Sequence, residues 1–178
     1  MRTFTLILVL AALLFSAAIF GFFYAWVCST MWGLDTADPR IAVAAMQAMN
    51  ASVRNIVFAP AFFATPFVAA LAAAVLWAQQ YRLSANLFLL SAGIYLCFGL
   101  ILTITINVPM NEALAALTVP ANIASAEQIW QEYSPRWQFW NIARTIASGI
   151  AFLVAALAAL HLPLIRHRAP VSVGVPPR

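Results

Sequence analysis

Four apolar stretches, Phe4–Val27, Ile56–Trp77, Leu87–Ile106 and Phe139–Leu162, are each long enough to cross a bilayer. Crossing takes about 20 mostly apolar residues in a helix rising about 1.5 Å per residue. The pattern points to one fold class: an all-α, polytopic membrane protein built as an antiparallel bundle of four transmembrane helices. The links are unequal. Ala78–Asn86 is a short turn, whereas Cys28–Asn55 and Asn107–Gln138 are long and carry all five carboxylates. Polar chemistry therefore collects at one end of the bundle.

Composition excludes the soluble alternatives. The chain is 65% hydrophobic and only 8% charged, against about 25% charged residues in a soluble domain. Its +4 net charge comes from arginine alone, with no basic run interleaved with aromatics, so nucleic acid is not an expected partner. Membrane lipid is. Residues 1–168 read as a single membrane domain, and the proline-containing 169–178 as a disordered cytoplasmic tail. The first stretch runs well past the signal-peptide core of about 7–15 residues, which makes it an uncleaved anchor. Arg2, Arg82, Arg166, Arg168 and Arg178 fall on one side, and Arg40, Arg54 and Arg136 on the other. That bias predicts both termini in the cytoplasm of a bacterial cell and both long connections outside the plasma membrane.

The two outer connections carry local helix signals. Asp38-Pro39 pairs an N-cap with proline at the first helical position, predicting a helix from Ile41 through Val57. Pro60 and Pro66 are expected to kink the second span. Pro109 predicts a break or reversal that ends the third span and brings Asn107 near Asn111. Ser125 and Gln128 form a capping-box pattern opening a short helix through Tyr133, and Ser134-Pro135 reads as the start of the fourth long helix.

Arg144 is the most informative polar residue, because eighteen uncharged positions follow it within the fourth helix. An ionisable group at that depth faces the bundle interior and needs a partner. The available partners are Glu112, the amides of Asn107, Asn111 and Asn50, or a bound anion. Trp137, Asn141 and Arg144 share a helix face, with Trp140 one turn from Arg144; Gln47 and Asn50 share another, and Trp26 lies at the same end. Trp137 and Trp140 also fit an aromatic belt, and the amides also fit helix glue. Met31, Met46, Met49 and Met110 are soft ligands in principle, but no histidine stands near them. His161 and His167 lie at the opposite end, so no metal or other cofactor is expected.

Four motifs in order resemble one family: Trp26-Val-Cys-Ser-Thr-Met-Trp-Gly-Leu34, Ala44-Ala-Met-Gln-Ala-Met-Asn50, Asn107-Val-Pro-Met-Asn111, and Trp137-x-x-Trp140-Asn141-x-x-Arg144. Together they look like the anthrone oxygenase-like family of small four-helix membrane proteins. The family takes its name from fungal members that oxidise an anthrone to an anthraquinone with molecular oxygen. The resemblance implies a cofactor-independent oxygenase acting on a small, lipophilic aromatic or quinol-like substrate that arrives through the lipid. In that reading Arg144, Asn107 and Asn111 stabilise an oxyanion and Glu112 is the base. Asn50, Gln47, Trp137, Trp140, Asn141 and Trp26 bind the substrate. The alternative is a non-catalytic protein that holds a lipid, quinone or partner subunit in the same pocket.

Overall fold

A computed structural model describes residues 2–162; the expected tail at 169–178 lies outside the described residues. Four membrane-length helices run as α1 (Thr3–Asp35), α3 (Phe58–Ala78), α4 (Arg82–Ala115) and α5 (Ile123–Leu160). A shorter α2 (Pro39–Ser52) lies between the first two. No strand occurs among the described residues. Helices α1, α3, α4 and α5 form a ring in which each packs on two neighbours: α1 on α3 and α5, and α4 on α3 and α5. The chain is an integral membrane four-helix bundle.

The helices are unequal, and this shapes everything above the membrane. At about 1.5 Å per residue, α3 is about 32 Å long, close to the hydrocarbon thickness of about 30 Å. Its 21 residues compare with 33, 34 and 38 for α1, α4 and α5. Three helices therefore project at the loop-rich end where α3 has already stopped. Helix α2 fills part of the missing fourth position, burying Ala42, Val43 and Met46 against Trp26, Met31, Leu114, Trp130, Tyr133 and Trp137. Gln47 fastens it there, donating from Nε2 to the carbonyls of Leu114 and Leu117 at 2.8 and 2.9 Å. Leu114 lies in the last turn of α4 and Leu117 two residues beyond its end, where helical donors run out.

Small residues make the membrane half of the core. Ala12, Ala69, Ala72, Ala73, Ala85, Ala92, Ala155 and Ala158 pack with Leu8, Leu76 and Phe88. This is how helices in lipid approach closely when no hydrophobic effect drives them together. Large apolar side chains such as Phe67, Leu89 and Leu153 point outward instead.

Several expected boundaries move. The Asp38 cap forms as expected: its carboxylate accepts from Arg40 N at 2.9 Å, and Pro39 takes the first helical position. The Arg40 guanidinium grips the same carboxylate from Nε and Nη2 at 3.0 and 2.6 Å. That hydrogen-bonded fork holds Asp38 down to a pKa of about 2, so the cap stays ionised to strongly acidic pH. The helix stops at Ser52, however, not at Val57. Asn55 makes the turn there, accepting Val57 N and Phe58 N on Oδ1 at 2.8 and 2.9 Å.

The first span does not end at Val27. It passes through a π-helical turn at Trp26–Thr30 and continues to Asp35. Nor does Pro109 break the third. The wide π turns at Tyr95–Ile101 and Thr103–Asn107 precede it, and Val108 N bonds five residues back to Thr103 O. A proline ring normally collides with the carbonyl four residues earlier; a turn already opened to five-residue spacing relieves that collision. Asn107 and Asn111 are thus successive turns of one helix, not two sides of a reversal.

The fourth helix likewise starts at Ile123, capped by Asn122, whose Oδ1 accepts Ser125 N at 3.1 Å. Ser125 is not the cap, and Ser134-Pro135 starts nothing. Pro135 leaves the Gln131 carbonyl without its helical donor, but both residues are solvent-exposed, where water can serve. Asp35 braces this projecting segment, accepting Trp130 Nε1 at 2.9 Å, Ser134 Oγ at 2.7 Å and Gln138 Nε2 at 2.8 Å.

Candidate functional site

Helix α5 continues unbroken through Pro135, so Tyr133, Trp137, Asn141, Arg144 and Ser148 fall on one buried face at spacings of four, four, three and four. Arg144 is only 5% exposed. Its Nε donates to Asn141 Oδ1 at 3.0 Å and its Nη1 to Thr103 Oγ1 at 3.2 Å. The guanidinium lies 4.3 Å over the Phe23 ring and 5.2 Å from that of Trp137. The two ion pairs among the described residues are Arg40–Asp38 and Arg54–Glu112. Arg144 is therefore a buried cation with no carboxylate partner there.

Its two partners are themselves fixed. Thr103 donates its hydroxyl to Gly99 O at 2.6 Å, which leaves the oxygen lone pairs to receive Arg144. Asn141 donates Nδ2 to Phe23 O at 3.3 Å, which orients Oδ1 toward the guanidinium. These contacts use two of the five N–H donors an arginine carries, and among the described residues Nη2 makes no hydrogen bond.

Arg144 lines a cavity of about 660 Å³, within the range of about 300–1,000 Å³ typical of small-molecule sites. Phe22, Phe23, Trp26, Phe58, Phe62, Phe63 and Trp137 wall it, so aromatic faces dominate. Trp26 and Trp137 meet at a centroid distance of 5.1 Å, and Phe22 and Phe58 at 4.7 Å. Asn50, Thr103 and Asn111 supply neutral polar groups, while Arg54, Asn55 and Glu112 stand at the exposed rim.

Asn111 is oriented by two donors. Tyr133 OH and Trp137 Nε1 both reach its Oδ1, at 2.8 and 2.9 Å, so its Nδ2 donors remain for the cavity. Asn50 makes a long 3.5 Å contact from Nδ2 to Tyr133 OH. Asn107 has 0% exposure, and neither end of its amide finds a hydrogen-bond partner among the described residues. It stands one turn from both Thr103 and Asn111, two of the lining residues. Burying an amide unpaired costs about 1–3 kcal/mol, so Asn107→Leu is expected to leave thermal stability in detergent unchanged or raised. A loss of 1 kcal/mol or more would mean that the amide is structurally paired.

Of the residues singled out in the sequence, Arg144, Asn111, Glu112, Asn50, Trp26 and Trp137 border the cavity. Asn141 acts through Arg144. Glu112 is not the arginine's partner; it pairs with Arg54 at 3.2 Å, both side chains exposed. Gln47 caps α4, and Trp140 lines a separate groove with Pro109, Met110 and Arg136. Sequence reasoning missed Thr103, Tyr133 and the phenylalanine wall. Thr103 was readable, since Thr103, Asn107 and Asn111 recur every four residues in an apolar helix.

The sequence profile described as anthrone oxygenase matches residues 52–154. That interval covers α3, α4, the rim and Arg144, and the chain belongs to the anthrone oxygenase family. Comparison with curated proteins and with solved structures gives no match.

Proposed function

We propose that this member of the anthrone oxygenase family oxidises a flat, lipophilic phenol or enol with molecular oxygen inside the aromatic cavity. One observation carries the reading: a buried arginine without a carboxylate partner among the described residues lines a cavity walled by aromatic rings. A cation so placed keeps its remaining donors for an anionic oxygen. The aromatic wall selects a planar body to carry that oxygen.

The chemistry balances without a further oxidant. Loss of a proton from a CH₂ group conjugated to the ring carbonyl gives an enolate, whose oxygen Arg144 receives. The electron-rich carbon reduces O₂ and forms a C–O bond to it, giving a peroxide at that carbon. Loss of the second C–H proton with cleavage of the O–O bond leaves a new C=O and one water. In sum, CH₂ + O₂ gives C=O + H₂O. Arg144 and the Asn111 amide hold developing negative charge in a low-dielectric site, the sort of contribution that costs about 10²–10³ in rate when one donor is removed. Glu112 at the rim takes the proton. Thr103 and Asn141 are positioning residues for Arg144.

The test is oxidation of anthrone by the detergent-solubilised protein under ¹⁸O₂. One labelled oxygen in each anthraquinone, without hydrogen peroxide release, is the expected result. Turnover no faster than the spontaneous reaction overturns the reading. Saturable anthrone retention without turnover would instead favour the non-catalytic holding of a lipid or quinone in this cavity.

A further inference from the structure

The cavity has two kinds of rim. Arg54 and Glu112 close its polar side with an ion pair that reaches from the turn before α3 to α4. Phe63 and Ile104 form an apolar side, lining the cavity while remaining 51% and 45% exposed. Helices α3 and α4 pack almost entirely along Arg82–Ile101 and part beyond it, where the cavity begins. Phe63 stands five residues into α3, about 8 Å below its start. Because α3 is barely long enough to span the hydrocarbon, that depth is inside the lipid and not in water.

From this geometry we infer that the gap between α3 and α4, bounded by Phe63 and Ile104, is a lipid-side portal through which a membrane-dissolved ligand reaches Arg144. The Arg54–Glu112 pair closes the site toward water. This inference rests on the ligand-binding reading above and adds the place in the bundle where the ligand passes from lipid into the cavity. An aromatic molecule with one ionisable oxygen partitions into the leaflet in its neutral form. It passes the portal body-first along phenylalanine, and Arg144 favours ionisation after arrival. A route through the polar rim would instead require a poorly soluble molecule to leave the membrane and separate an ion pair.

The experiment follows anthrone binding by stopped-flow quenching of Trp26 and Trp137 in phosphatidylcholine vesicles. Protein-containing vesicles are mixed with anthrone-loaded ones. Widening the portal with Phe63→Ala is expected to speed both association and dissociation. Narrowing it with Ile104→Phe is expected to slow both by about tenfold, a modest step within the one to three decades over which association rates vary among variants. Phe63→Ala also removes one ring of the aromatic wall, so it should weaken equilibrium affinity as well, whereas Ile104→Phe should slow both rates together and leave affinity the same. Arg54→Gln, which opens the rim pair without removing the proposed base, should leave the rates unchanged. Rates indifferent to Phe63 and Ile104 but raised by Arg54→Gln would overturn the portal while leaving the cavity assignment intact. Absence of saturable quenching in the unmodified protein would overturn both. Both portal positions are exposed, so the variants should fold; thermal unfolding of each checks this.

Discussion

Replacing Arg144 by leucine is expected to abolish oxidation of an anthrone-type substrate while leaving the bundle folded. The argument turns on what the arginine leaves behind. Glu112 is held by Arg54, so no carboxylate is stranded. Thr103 keeps its bond to Gly99 O, and Asn141 keeps its bond to Phe23 O. Asn141 Oδ1 and Thr103 Oγ1 each lose the donor that Arg144 supplied, at about 1–3 kcal/mol for the orphaned amide oxygen and less for a hydroxyl that is still bonded. Against that stands the desolvation of an unpaired cation, several kcal/mol even after relaxation. The two terms roughly cancel, so thermal stability in detergent should stay level or rise. Turnover should fall by about 10²–10³, the usual effect of losing one oxyanion donor. Arg144→Lys keeps the charge but not the fork that reaches Asn141 and Thr103 together, so it should lie between. Oxygen uptake measured beside thermal unfolding decides the matter. A destabilised leucine variant with unimpaired turnover per folded molecule would make Arg144 structural glue.

The membrane fold was legible because lipid imposes a coarse rule: every backbone polar group must be satisfied within a helix, and about 20 apolar residues must follow one another. Helix ends were less legible for the same reason. A polar residue in such a sequence marks the edge of the hydrocarbon, not the end of the helix. Helices α1 and α4 continue past Val27 and Asn107 as projecting segments. Pro109 and Pro135 read as breaks because a proline in water normally is one; a π turn accommodates the first and an exposed carbonyl the second.

Arg144 was legible from depth alone, since a lone charge inside an apolar helix must face inward. Its partners were not, because they depend on which helix neighbours α5. Glu112 was the nearest acid in charge logic, yet Arg54 from another turn reaches it first. Gln47 and Trp140 show the limit of helix-face reasoning. They share the end of the bundle with the cavity but point to other surfaces, one onto the carbonyls that end α4 and the other into the α4–α5 groove. Phenylalanines are so common in these helices that nothing local distinguishes Phe23 or Phe62, which line the cavity, from Phe67, which faces outward.

A second large effect is expected where a proline, a tyrosine and a glycine meet below the cavity. Pro66 has no N–H, so the carbonyl of Phe62, four residues earlier, loses its helical donor. Tyr95, 2% exposed, supplies the replacement, donating its hydroxyl to Phe62 O at 2.9 Å. Its ring occupies the space beside Gly99, where an added Cβ would lie 2.6 Å from Tyr95 Cδ2 and Cε2. Only glycine tolerates that approach, and the phenol can move away only by releasing Phe62. Tyr95→Phe should therefore cost about 1–3 kcal/mol, the penalty for an orphaned buried carbonyl. Gly99→Ala should cost about as much again through overpacking. The decisive measurement is a double-mutant cycle with Pro66→Ala, which restores an amide donor to Phe62 O. In that background Tyr95→Phe should lose about 1–2 kcal/mol of its penalty, the coupling expected of groups that share one partner. An equal penalty in both backgrounds would mean that the tyrosine packs but does not substitute for the missing helix bond. Because Phe62 also lines the cavity, Gly99→Ala should weaken anthrone retention as well as stability, whereas Tyr95→Phe, which keeps the ring in place, should mainly affect stability.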